Sequence, residues 1–426
     1  MLCKMAIKDL KRYPVMNTLI VILLIAMFWV VITIASAIQL KYKKYSALSP
    51  YLTQKGICIE SYNLQKKSED GSYELLKDSA ELKELFPNIR NVLSVEMLWS
   101  VSSCEIKESV TALCYSGDVI NAMGNISMKE GRWFSDITPD KDILDVVITY
   151  NKSDVKVGDI ITVTTGIGGP SVTAKVIGII NNGENLYYEN MVEEAKGDCR
   201  DCFYTYDYDM EDGNVVLIFS DEQILSGQED GKFKELNYRI SPEYGFQKQM
   251  QGCTIITYDE SISDDIIKND TEYLKRYSII NRVYDLKQMN KASLDYVFQE
   301  LKIYFPVFAC ILIFVLIASI SINVITVKRQ LKNYAIYYMC GLSWKKCSLI
   351  SICESAMATI IAFSLVLLSL LVMKISGRVK TSALQLGWLQ VCIMIAVSLI
   401  YIFLTWVIPS LIVNRTTAKQ LLVDER

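Results

Sequence analysis

The sequence predicts an α-helical membrane protein with four transmembrane helices plus a large mixed α/β extracytoplasmic domain between helices 1 and 2. Three observations predict it. Four long blocks are almost free of charge. The stretch between the first and second block is long enough for one large domain or two smaller ones. Basic residues are shared unequally between the two sides of the blocks.

The blocks are residues 15–38, 303–327, 348–373 and 384–413, and Glu354 is the one charge among them. Each exceeds the roughly 20 residues that a helix needs to cross a bilayer. The first has a basic approach (Lys4, Lys8, Lys11, Arg12) and an Ala35-Ser36-Ala37 sequence resembling a signal-peptide cleavage site. Its apolar core is longer than the usual h-region of about 7–15 residues, which favours an uncleaved anchor. Lys and Arg near the block ends number 12 on the side of both termini and 6 on the other, so the termini are expected in the cytoplasm. Residues 39–302 then face outward with 29 basic and 43 acidic residues, while the rest carries 15 and 4. The basic remainder suits an anionic inner leaflet.

In chain order, residues 1–14 read as a cytoplasmic amphipathic helix, with Leu2, Met5, Ala6 and Leu10 on one face and cations on the other. Pro14 suits the first turn of helix 1. In the outer domain, "VLSVEMLWSVSSCEI", "VTALCYS", "DVVITY", "DIITVTT", "SVTAKVIGII", "NVVLIFS" and "CTIITYD" read as strands separated by turn residues. Between them "SYELLKDSAELKELF" and "SDDIIKNDTEYLKRYSIINRV" read as helical, which makes a mixed α/β class. Residues 282–302 contain no Gly or Pro and read as a helical stalk running into helix 2. "QLKYKKYSAL" extends helix 1 likewise. Residues 328–347 form a cytoplasmic segment, 374–383 an external loop and 414–426 a cytoplasmic tail. Within 328–347, Leu331, Tyr334, Ala335 and Tyr338 fall on one helical face flanked by cations, and Gly341 allows the chain to turn back.

Six of the 12 cysteines lie in the outer segment. Cys104 and Cys114 sit on adjacent predicted strands, where either a cross-strand disulfide or free buried thiols fit. "DCRDC" places Cys199 and Cys202 in a CxxC, read as a local disulfide or as a pair without chemistry. A zinc site is not expected, because zinc takes about four ligands and the chain has no histidine and no second CxxC. "DYDMEDG" fails the calcium-loop pattern, with glycine seventh instead of sixth. Around it, residues 184–230 hold 14 acidic and two basic residues. Tyr204, Tyr206, Asp207, Tyr208, Asp209, Glu211 and Asp212 either contact a cationic, partly apolar ligand or belong to a solvated acidic loop. No Walker A sequence is present, since "GQEDGKF" has the wrong glycine spacing. Without histidine, Ser-His-Asp and Cys-His hydrolysis are excluded, so no enzyme activity is expected. Glu354, the lone intramembrane acid, either has a functional role or reaches the cytoplasmic interface near Lys345 and Lys346.

Taken together, the pattern resembles the FtsX-like permeases, including the MacB-type exporters. The residues that carry the resemblance are "AIKDLKRYPVMNTLIVILL", then "EGRWFS" (130–135), "VGDIITV" (157–163) and "AKVIGII" (174–180), and finally Gly341-Leu342-Ser343 followed by Glu354 thirteen residues beyond the glycine. The chain departs from the family at Asn333 and Ala335, where Glu and Gly are common. The resemblance implies a cell-membrane permease subunit of an ABC transporter of the mechanotransmission type. It implies two copies of a separate ABC ATPase that carry the ATP and magnesium, contacted through Leu331, Tyr334, Ala335, Tyr338, Gly341, Leu342, Ser343, Trp344 and Lys345. A second permease chain, identical or different, membrane lipid and an extracytoplasmic accessory protein are the remaining partners, with no nucleic acid and no cofactor in this chain. Export or removal of peptides (including antimicrobial ones), lipids or lipoproteins is the expected task. The alternatives are a transmembrane regulator that activates a cell-wall hydrolase and a ligand sensor without transport.

Overall fold

The computed structural model describes residues 14–98, 101–134, 143–165, 171–188, 194–206, 213–224, 250–339, 341, 344–375 and 387–415. The helices are α1 (Pro14–Leu52), α2 (Ser79–Leu85), α3 (Gly117–Ala122), α4 (Asp264–Tyr277), α5 (Leu286–Met339), α6 (Trp344–Ile375) and α7 (Trp388–Arg415). The strands are β1 (Lys55–Asn63), β2 (Gln65–Lys67), β3 (Tyr73–Leu75), β4 (Ile89–Leu98), β5 (Val101–Ser103), β6 (Val110–Tyr115), β7 (Met128–Gly131) and β8 (Leu144–Ile148). They continue with β9 (Ile160–Thr165), β10 (Ser171–Ile180), β11 (Asn185–Tyr187), β12 (Phe203–Thr205), β13 (Val215–Ser220), β14 (Met250–Tyr258) and β15 (Ile279–Asp285). Two compact units result, Met1–Leu40 with Phe298–Arg426, and Lys41–Val297.

The first unit holds the apolar stretches of α1, α5, α6 and α7, four helices long and apolar enough to cross a membrane. Its centre joins Leu24, Met27, Phe28 and Ile32 to Val315, Ala358, Ala362, Val366, Met394 and Tyr401. Ala358 and Ala362 lie one turn apart, and such small residues let helices approach closely. Phe28 meets the Phe363 ring edge-on at 6.2 Å. Outward, Phe314, Ile317, Ile360 and Leu399 are exposed, which suits hydrocarbon. Glu354 is half-buried in the third turn of α6.

The second unit is built on an 11-stranded mixed sheet ordered β15-β1-β14-β4-β6-β13-β8-β10-β9-β5, with β7 beside β10. Strand alternation sends Ile57 and Ile59 of β1, Val92 of β4 and Ile256 and Tyr258 of β14 to one face. Leu82 of α2 and Ile267 and Leu274 of α4 cover that face. Burying one such side chain completely is worth about 1.5–3 kcal/mol. Local signals start the covering helices. Asp78 accepts the Glu81 N–H as the cap of α2. Asp264 and Asp265 open α4 and Lys275 and Arg276 close it, matching the helix dipole.

Several boundaries differ from the sequence expectation. The stalk helix starts at Leu286, because residues 279–285 pair antiparallel with β1. A free strand edge there outweighs the helical pattern of "SIINRV". The first half of "SYELLKDSAELKELF" likewise forms β3, paired with β2. Residues 328–339, the first part of the 328–347 segment, continue α5 without a break to Met339. Gly341 then adopts φ +96°, with open space where a Cβ would sit, and α6 begins at Trp344. Helix α1 continues to Leu52 despite Pro50. The Ser46 carbonyl, deprived of the Pro50 N–H, accepts the Ser49 hydroxyl at 3.2 Å.

Candidate functional site

The last turns of α1 and the first turns of α5 belong to the α/β unit, and a dense polar clamp holds them there. Tyr45 donates its hydroxyl to Asn290 Oδ1 at 3.1 Å, tying the two helices together. Tyr51 donates to the Asp118 carbonyl at 3.1 Å, and the Asp118 carboxylate accepts the Val92 N–H of β4 at 2.8 Å. Lys43 of α1 pairs with Glu184 at 2.6 Å.

The "DCRDC" stretch is the centre of the clamp. It forms a short 3-10 turn over Cys199–Cys202, capped by Asp198, whose carboxylate accepts the Arg200 N–H at 2.9 Å. The same carboxylate grips the Arg200 guanidinium at 2.7 Å. That guanidinium stacks over the Tyr296 ring of α5 at 4.1 Å, and Lys41 of α1 lies over the same ring at 4.4 Å. The Cys199 N–H donates to Ser293 Oγ at 2.9 Å, and Ser293 donates onward to the Met289 carbonyl at 2.7 Å. Asp201, raised above the usual carboxylate range by burial, accepts the Lys196 and Gly197 N–H groups.

Of the two readings of the CxxC, a local disulfide or a pair without chemistry, the disulfide is not formed, and Cys199 and Cys202 are both free thiols. Cys202 instead meets Cys58 of β1 and Cys253 of β14, with all three Sγ atoms within 4.8 Å of one another. Hydrogen bonds from Cys202 and Cys253 bring Cys58 down to about 5, against its burial. Contacts with Cys253 and then Cys58, together with burial, push Cys202 well up. A three-sulfur cluster was not expected from a single CxxC. No local spacing signals it, since Cys58 and Cys253 become neighbours only through the β1–β14 ladder, where Cys253 lies opposite Glu60.

For Cys104 and Cys114, where a cross-strand disulfide and free thiols both fitted the sequence, the disulfide is not formed. Cys104 is exposed and Cys114 is buried. Cys114 sits opposite Glu96 of β4 and Phe219 of β13, whereas β5, just before Cys104, pairs with β9 at the far end of the sheet. Tyr206 is not a ligand-facing residue. It is buried, and its hydroxyl lies within hydrogen-bond distance of the Asn214 (2.7 Å) and Tyr150 (3.0 Å) carbonyls. Tyr204 is half-buried with its ring 5.6 Å from Tyr188. Asp207, Tyr208, Asp209, Glu211 and Asp212 lie outside the described residues, as do Leu342 and Ser343. Leu331, Tyr334, Ala335 and Tyr338 are on the continuous α5, and Trp344 and Lys345 open α6.

No family model and no curated protein matches the chain. Among solved structures, the periplasmic region of MacB from Actinobacillus actinomycetemcomitans matches over 57% of this chain and 94% of that one, at 11% identity and a TM-score of 0.28. A likeness at that level carries no argument about activity.

Proposed function

We propose that this chain is the membrane subunit of an ABC complex, passing ATP-driven motion to its α/β unit instead of enclosing a solute channel. The observation that carries this reading is the pair of continuous helices. At 39 and 54 residues, α1 and α5 are far longer than a bilayer span, and each runs from an apolar stretch into the α/β unit without a break. The clamp around the "DCRDC" turn supports it, because displaced helix ends would pull on the sheet through hydrogen bonds and ion pairs.

Under this reading the chain lies in the cell membrane with both termini in the cytoplasm. It performs no catalysis; ATP and magnesium are held by two partner ATPase chains. A second permease chain, identical or different, completes the pair. The α/β unit acts outside the membrane on peptides, lipids or lipoproteins. The ATPase docks on the turn between α5 and α6, where the Leu331, Tyr334, Ala335 and Tyr338 face precedes Gly341.

The test is co-purification. Leu331→Asp combined with Leu342→Asp abolishes recovery of an ATPase with the chain and leaves membrane insertion intact. Undiminished recovery overturns the docking assignment. A cell-wall hydrolase recovered in place of an ATPase favours the regulatory reading.

A further inference from the structure

The sheet face opposite the apolar core carries Cys58 and Glu60 of β1 and Cys253 of β14, and the 3-10 turn lowers Cys202 onto them. The three cysteines are 0%, 0% and 1% exposed. The cluster is held by contacts independent of any sulfur chemistry. Gly252 adopts φ +72° where the β14–β4 register breaks between Gln251 and Ile255, and this irregularity positions Cys253. Tyr187, fully buried, lies with its hydroxyl 2.5 Å from the Cys253 carbonyl and 3.2 Å from that of Leu93. Asp198 and Asp201 fix the turn from the other side.

A disulfide would use two of these sulfurs and leave the third without a role. Neighbouring carboxylates are engaged elsewhere, Glu60 with Arg282 at 3.2 Å and Asp201 with backbone N–H groups. Among the described residues no carboxylate joins the trio at the same distance, and the chain has no histidine. Zinc prefers four ligands. All-sulfur ligation with three donors suits a soft ion of low coordination number, and cuprous copper is the first-row ion of that type.

We propose that Cys58, Cys202 and Cys253 form a three-sulfur site for a soft monovalent metal ion of the cuprous class. Binding forms metal–sulfur bonds and releases thiol protons to solvent, with no change of oxidation state. Tyr187 is the outer-shell group that holds the Cys253 backbone. The bound ion staples the turn to β1 and β14. Because that turn also holds Ser293 and Tyr296 of α5, occupancy stiffens the anchorage of the helix.

The experiment uses the full-length protein in detergent, reduced and anaerobic, titrated with cuprous ion against a chromophoric cuprous chelator. The parent takes up one more tight equivalent than the Cys58→Ser, Cys202→Ser, Cys253→Ser triple variant. Each single variant loses that equivalent, whereas Cys104→Ser and Cys199→Ser keep it. X-ray absorption of the loaded parent reads three sulfur neighbours. As a check that needs no variant, cuprous ion raises the melting temperature of the parent. Equal uptake by parent and triple variant overturns the proposal. So does an unshifted melt, or alkylation mapping that finds two of the three cysteines joined as a disulfide in the freshly isolated protein.

Discussion

Strand β1 presents two different environments one residue apart. Ile57 and Ile59 enter an apolar layer with Leu82, Ile256, Ile267 and Leu274. Cys58 and Glu60 enter a layer of thiols, carboxylates and an arginine, closed by the 198–202 turn. Both layers are buried, yet they differ in kind. The apolar layer is held by area removed from water, which depends little on pH or redox state. The polar layer is held by hydrogen bonds and paired charges whose worth depends on protonation and on what the sulfurs bind. One face of the sheet gives stability, and the other is conditional and meets the first turns of α5.

The comparison breaks most readily on the apolar side. Leu274→Ala empties a fully buried site, and the expected cost is about 2–5 kcal/mol, read from the urea midpoint of the full chain in detergent. A cost below that of the polar-layer variants would reverse the ranking of the two layers. On the polar side, Asp198→Ala removes the turn's cap and the Arg200 pair. The expected loss is about 1–2 kcal/mol, with Tyr296 more accessible to protease at the start of α5. An unchanged midpoint would show that the turn is held by its sulfurs alone.

The smallest effect is a slope. Burial, then the nearby Cys253, raises Glu60 above the usual carboxylate range, and Arg282 opposes the shift. A carboxyl whose folded value is raised binds its proton more tightly in the native state. Stability therefore falls as pH rises from the ordinary glutamate value of about 4.3 to the folded one. Glu60→Gln flattens that decline, measured as the urea midpoint against pH. A slope that survives the substitution would assign it to another raised carboxyl, such as Asp201.

Much of the fold was legible in the sequence because its signals are local. Blocks almost free of charge mark the four apolar helices, and all seven quoted strand segments contain strands. Legibility failed where a distant partner decides. "IINRVYD" is a strand because β1 offers it an edge, and "YEL" because β2 does. The site divides the same way. The CxxC was visible, but its outcome was not, since Cys202 faces strands whose register brings Cys58 and Cys253 together. Tyr206 lies in an acidic, tyrosine-rich stretch that reads as surface, and only the tertiary fold reveals its buried hydroxyl.

Helix α5 has one further consequence, and it is mechanical. At 1.5 Å per residue a 54-residue helix is a rod of about 80 Å, so a tilt of about five degrees shifts one end by about 7 Å. Sub-ångström repacking at a short lever arm becomes a displacement wider than a water molecule at the long one. Pro306, inside the helix, is a notch in the rod, for its ring removes one backbone hydrogen bond and crowds the preceding turn. Under the load that the proposed function puts on α5, bending would concentrate at such a notch, and the rod would deliver less travel than a straight beam.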